Sequence, residues 1–113
     1  MSTIKDSKLS IVGKDEVNWA QRQMQVLEDI KLDFEKRKPL EGLNIGACMH
    51  VTKETANLML TLQSAGANVA LCASNPLSTK DSVAAYLAES DIQVHAIHGV
   101  SNDDFFKHLN SVL

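Results

Sequence analysis

Three short segments hold most of the side chains able to bind a ligand or move a proton: His50-Val51-Thr52-Lys53-Glu54, Ser74-Asn75-Pro76-Leu77-Ser78-Thr79 and His98-Gly99-Val100-Ser101. An imidazole titrates near neutral pH, so His50 suits ligand contact or general acid–base work. The hydroxyls of Thr52 and Ser78 donate and accept, and the Glu54 carboxylate accepts. Each residue also has a purely structural use. Thr52, Ser78 and Ser101 stand where helix caps are needed. Glu54 falls in a first helical turn, where the dipole favours a carboxylate anyway. Asn75-Pro76 makes a stiff turn. Position decides between the two uses, because each segment directly follows a short apolar run.

Those runs are Leu43 to Met49, Asn68 to Ala73 and Ile92 to Ile97. Their length and two-sided apolar character fit buried parallel strands. The chain between them has helical spacing. Thr52 to Ala65 places Ala56, Met59, Leu60 and Leu62 inward and ends at Gly66, a natural C′ residue. Ser78 to Ser90 opens on Ser78-x-x-Asp81, a capping spacing, and turns Val83, Ala84 and Leu87 inward. A last helix follows Ser101 with Phe105, Phe106, Leu109 and Val112. Upstream, Val17, Ala20, Met24, Leu27, Ile30 and Phe34 predict one long amphipathic helix. Asp15 and Glu16 suit its start, Lys36-Arg37-Lys38 its C-terminal end, and Pro39 stops it. Residues 1–13, ending at Gly13, read as a flexible arm, and 14–113 as one domain portion.

Successive βα units imply a three-layer α/β/α sandwich, Rossmann-like or flavodoxin-like, with a parallel sheet. Ligands of such sheets bind beyond the carboxyl ends of the strands. The three polar segments are then expected side by side on one rim. Three strands are few for an open sheet, which points to more sheet in further sequence or in a partner chain.

Composition narrows the function. The 113 residues are 44% hydrophobic and 22% charged, with a net charge of −3 and 4% aromatics. These values fit a globular domain and argue against disorder and nucleic-acid binding. No apolar run approaches the roughly 20 residues of a membrane span. No signal-like segment opens the chain, and two cysteines are too few for a disulfide scaffold, so a cytoplasmic setting is expected. Cys48 and Cys72 have no zinc-type spacing and are expected as buried free thiols, with no metal site. His95 is expected as a partly buried structural residue, His108 as solvated, and Met24 and Met59 as core. Neither a GxGxxG nor a Walker loop occurs, so no nucleotide-phosphate cradle is encoded.

The wording of two segments goes further. PLEGLNIGACMHVTKETANL at 39–58 and SNPLSTKDSVAA at 74–85 resemble the N-terminal part of the substrate-binding domain of the S-adenosylhomocysteine hydrolase (adenosylhomocysteinase) family, in an archaeal-like form. That family carries Pro-Leu-x-Gly before a strand, then His-x-Thr-x-Glu or -Gln, then Asn-x-x-Ser-Thr-Gln-Asp. The resemblance covers roughly 17–113. It implies reversible hydrolysis of S-adenosyl-L-homocysteine to adenosine and L-homocysteine with tightly bound NAD, in a tetrameric enzyme. It implies that His50 lies near the ribose 5′ side and assists proton transfer. Thr52 would hydrogen-bond the nucleoside, Glu54 would read the adenine edge, Ser78 would line the pocket and Met49 would supply an apolar wall. Lys80 replaces the usual Gln, Ser82 replaces His or Asp, and Gln25 replaces the proline of a Met-Pro pair in the first helix. The family's later catalytic Lys and Asp and its NAD-binding domain have no counterpart here. The expectation is therefore an N-terminal portion that is inactive alone, partnered by the rest of the enzyme. The alternative is a non-enzymatic α/β module for nucleoside binding or oligomerisation.

Overall fold

The structure, a computed structural model, describes residues 2–113; Met1, part of the expected arm, lies outside the described residues. Apolar segments β1 (Asn44–Cys48), β2 (Asn68–Cys72) and β3 (Gln93–His95) form a parallel sheet in the order β1-β2-β3. Among the described residues five α-helices surround it: α1 (Ser10–Gln23), α2 (Gln25–Arg37), α3 (Lys53–Ser64), α4 (Asp81–Glu89) and α5 (Asn102–Val112). The register aligns Asn44 with Asn68 and Cys48 with Cys72, then Cys72 with His95. The predicted α/β class and parallel sheet are therefore what the chain adopts.

Alternation along the strands separates the two faces. Val69, Leu71 and Val94 join Ala56 and Met59 of α3, Val83 and Leu87 of α4, and Val17 of α1 in one core. Full burial of a side chain such as Met59, Leu71 or Leu87 contributes about 1.5–3 kcal/mol. On the opposite face α5 packs across all three strands, and its Val112 reaches Gly46. A third helical layer lies outside α3 and α4, where α1 crosses both and α2 rests on α3.

Local signals explain the helix ends. Thr52 caps α3, accepting from the Thr55 amide at 3.3 Å, and Ser101 caps α5, accepting from the Asp104 amide at 3.2 Å. Gly66, with φ +101°, turns the chain from α3 into β2, a left-handed conformation that favours glycine. Arg37 and Asp33 pair on the last turns of α2, and the guanidinium holds the Asp33 carboxyl below the usual carboxylate range.

Several expectations are corrected. The long helix breaks at Met24 (φ −116°, ψ 62°), although no proline follows. Val17 and Ala20 are buried as predicted, but α2 has no fully buried residue and Met24 lines a surface cleft. Helix α1 begins at Ser10, so Gly13 lies within it and Asp15 and Glu16 lie beyond its first turn. Thr3 bridges His95 in parallel, which carries the pairing one position past β3. Ser78 does not cap α4, which begins after Lys80 without a side-chain cap. Cys72 is buried but Cys48 is exposed, and His108 is buried against the sheet rather than solvated.

Gly13 marks the tightest helix crossing. A Cβ there would stand 1.8 Å from the Ser82 carbonyl oxygen and 3.0 Å from Cβ of Tyr86. Alanine would gain up to about 1 kcal/mol of helix propensity. The collision is with backbone, which cannot swing aside, and overpacking of that kind costs about 3 kcal/mol. Gly13→Ala should therefore destabilise the fold by about 2 kcal/mol net, read from urea unfolding midpoints.

His95 supplies a pH dependence. Its Nδ1 lies 3.2 Å from Thr3 Oγ1, and burial pushes its pKa below the ordinary imidazole value of 6.5, with the charge of His108 adding to the effect. A base whose folded pKa is depressed is bound more readily by protons in the unfolded chain. Its contribution is intact above the unfolded value of 6.5 and is lost as pH falls below it. Unfolding midpoints should drop between about pH 7.5 and about pH 5. His95→Gln should flatten that drop.

Candidate functional site

Backbone pairing draws the strand ends together. Beyond β1 the Val51 amide donates to the Ser78 carbonyl at 2.8 Å, and the Lys80 amide donates to the Val51 carbonyl at 2.9 Å. Val51 is fully buried in this bridge to Thr79. On the far side of the same loop, the Gly99 amide donates to the Pro76 carbonyl at 2.7 Å. The His98 amide donates to Asp81 Oδ1 at 3.0 Å. The segments starting at His50, Asn75 and His98 therefore stand side by side on one rim, as the parallel topology requires.

Next to this rim, a cleft of about 640 Å³ opens between α2 and α3. Met49, Glu54, Thr55 and Leu58 form one wall. The break at Met24 and the first turns of α2, through Val26, Leu27 and Ile30, form the other. An apolar cleft with a carboxylate at its mouth suits a flat heteroaromatic ligand with a polar edge. The α2 wall escaped the sequence reading, which took that helix as continuous.

The predicted site residues divide into two groups. Met49 and Glu54 line the cleft. His50, Thr52 and Ser78 sit on the rim and do not. His50 is exposed, with its carbonyl accepting from the Thr52 amide at 3.1 Å. Thr52 Oγ1 donates to Thr55 Oγ1 at 3.3 Å while it accepts from the Thr55 amide. Ser78 Oγ donates to the Asn75 carbonyl at 3.1 Å and accepts from the Asn75 amide at 3.2 Å. A hydroxyl has two acceptor positions, so Thr52 retains one for a ligand, whereas Ser78 Oγ also meets Ser74 Oγ at 3.4 Å.

Charges around the rim are already paired. Glu54 lies 3.7 Å from Lys53 Nζ, and that ammonium stands 5.4 Å from the Trp19 ring centroid. Lys80 Nζ lies 3.8 Å from Glu16 Oε2, and Ser82 Oγ donates to Glu16 Oε1. Lys80 and Ser82 are thus both tied to α1.

The rim does not fit a dinucleotide cofactor. The turn after β1 carries Met49-His50-Val51-Thr52, with no glycine to let a pyrophosphate approach the backbone, and Val51 is fully buried. At the start of α3 the Thr55 amide is taken by Thr52. Among the described residues no group of three or more His, Cys, Asp or Glu side chains is arranged to hold a metal ion. Among them, too, no helix is long and apolar enough to cross a membrane.

The comparisons with known proteins agree with the resemblance. A family model described as S-adenosyl-L-homocysteine hydrolase matches residues 1–113. An adenosylhomocysteinase of Saccharolobus solfataricus is 48% identical over 110 residues, covering 97% of this chain and 26% of that protein. One from Aquifex aeolicus is 50% identical over 111 residues, covering 97% of this chain and 27% of that protein. One from Pyrobaculum aerophilum is 47% identical over 112 residues, covering 99% of this chain and 26% of that protein. The chain thus spans about a quarter of the length of the curated relatives it matches. With the family model matched along all its residues and its strand ends gathered on one rim, the chain belongs to the S-adenosyl-L-homocysteine hydrolase family.

Proposed function

We propose that this chain forms one wall of the nucleoside pocket of an adenosylhomocysteinase, which interconverts S-adenosyl-L-homocysteine and water with adenosine and L-homocysteine. The observation that carries the reading is the convergence of Met49 and Glu54 on the cleft beside the rim, in a chain matched by the family model throughout. Met49 supplies an apolar surface for the base. Glu54 accepts from the exocyclic amine of adenine. Thr52 offers its remaining acceptor position to a ribose hydroxyl, and Ser78 lines the same rim. His50, free of side-chain partners among the described residues, holds or delivers the proton at the 5′ side, where homocysteine leaves and water adds.

The same proposal assigns NAD to residues outside this chain, because the turn after β1 has no glycine-rich sequence to receive a pyrophosphate. A tetrameric enzyme and a cytoplasmic setting go with it. Alone, the chain should bind nucleosides weakly, since one wall supplies only part of the contact surface.

Inosine isolates the role of Glu54, because it carries a carbonyl where adenosine carries the amine. In titrations followed by amide NMR shifts, adenosine should perturb Met49 and Glu54. Inosine should bind about tenfold more weakly, the worth of one hydrogen bond to a charged group. Glu54→Gln should abolish that discrimination. Equal binding of both nucleosides, or shifts confined to residues away from the cleft, would overturn the assignment. With NAD and S-adenosyl-L-homocysteine added, the isolated chain should show no turnover; measurable turnover would refute the placement of the redox machinery elsewhere.

A further inference from the structure

Cys48 and Cys72 close the C-terminal ends of β1 and β2, directly opposite each other in the parallel ladder. Neighbouring strands lie about 4.8 Å apart, within the Cα separation of about 4.4–6.8 Å that a disulfide spans. Alternation puts both side chains on the α5 face of the sheet. Both are free thiols of unlike access, Cys48 exposed and Cys72 fully buried. Cys48 Sγ reaches the Ala73 carbonyl at 3.5 Å, which leans it toward β2.

We propose that Cys48 and Cys72 form a dithiol site that reacts with low-molecular-weight disulfides of the glutathione type and closes into a cross-strand disulfide. This site is separate from the nucleoside cleft, whose lining contains neither cysteine. In the first step the exposed Cys48 thiolate attacks one sulfur of the small disulfide. A mixed disulfide forms on Cys48, and one small thiolate leaves and takes a proton. In the second step Cys72 gives its proton to solvent and attacks the Cys48 sulfur. The protein disulfide forms and the second small thiolate leaves. Two protein thiols are oxidised, and one small disulfide is reduced to two thiols.

The two sulfurs have unequal roles because their surroundings differ. Burial, then the contact with Cys48, pushes the Cys72 thiol up to about 12, so it is protonated at neutral pH. It cannot begin the reaction, and it resolves the mixed disulfide slowly. The titratable groups facing it are Cys48 on β1, its register partner His95 on β3, and His108 of α5 across the same face. The new bond would lie two residues before His50, so oxidation would pin the rim at the strand end from which that histidine departs.

Intact-mass measurement of the chain incubated with oxidised glutathione tests the scheme. A glutathione adduct should appear first and convert to a species lighter than the reduced chain by two hydrogens. Peptide mapping should show Cys48 joined to Cys72. The conversion rate should rise about tenfold per pH unit from about pH 7 to about pH 9, following the thiolate fraction of Cys72. Cys72→Ser should hold the adduct on Cys48, and Cys48→Ser should remain unmodified. The scheme is overturned if the unaltered chain keeps its adduct at the highest pH, if Cys72 is modified first, or if the product is a disulfide between two chains. Mapping of the unaltered chain decides the matter even if a variant fails to fold.

Discussion

The arrangement of the rim depends on the two hydrogen bonds that Val51 makes across to the loop before α4. They extend the β1–β2 pairing past the regular sheet and tie together the starts of α3 and α4. Val51 is fully buried, so its amide and carbonyl have no water to turn to, and losing a partner there costs about 1–3 kcal/mol per group. The pairing also sets where Thr52 falls. One residue after Val51, it is delivered to the capping position of α3, and two residues later Glu54 faces the cleft. Backbone pairing thus determines the placement of the polar side chains on this wall.

The same loop explains the residues that depart from the family wording. Lys80 and Ser82 differ from the usual Gln and His or Asp, and the structure connects both to Glu16 on α1. The crossing at Gly13 brings α1 close enough for this, because nothing projects between its backbone and Ser82. A lysine beside a nucleoside pocket would compete with neutral donors for the base edge. Drawn toward Glu16, its ammonium is held by α1, and Glu54 is left as the carboxylate at the mouth of the cleft. The substitutions at 80 and 82 and the carboxylate at 16 form one local electrostatic group.

Much of this was legible in the sequence, and the failures share a physical cause. The three apolar runs, the caps at Thr52 and Ser101, the turn at Gly66 and the juxtaposition of the strand ends all follow from local chemistry plus the handedness of parallel crossovers. What was not legible depended on partners distant in sequence. Periodicity from Val17 to Phe34 is uninterrupted, so nothing local announces the break at Met24. Ser78 has the spacing of a cap, but Asn75 offers its backbone closer at hand and takes the hydroxyl. His108 follows the charged Lys107, yet α5 turns it onto the sheet against His95. Cys48 lies in an apolar run, but β1 is an outer strand of this sheet, and three of its five positions remain open.

That openness bears on how the wall could work. Strand β1 alternates exposed and half-buried residues, where β2 buries three of its five. Across the cleft, Val26 is 75% exposed and Met49 37% exposed, so the apolar surface offered to a ligand is also offered to water. A base laid on such a surface from one side only recovers half of the burial that an enclosed pocket gives, while the cost of immobilising it is paid in full. The polar groups also gain less than in an enclosed pocket, since a carboxylate in contact with water gives up one hydrogen bond to make another. Covering the cleft would change both terms at once, by removing the apolar walls from water and by lowering the dielectric around Glu54. In the proposed enzyme the surface that closes over Met49 and Glu54 therefore sets the affinity, and this wall sets which base is accepted.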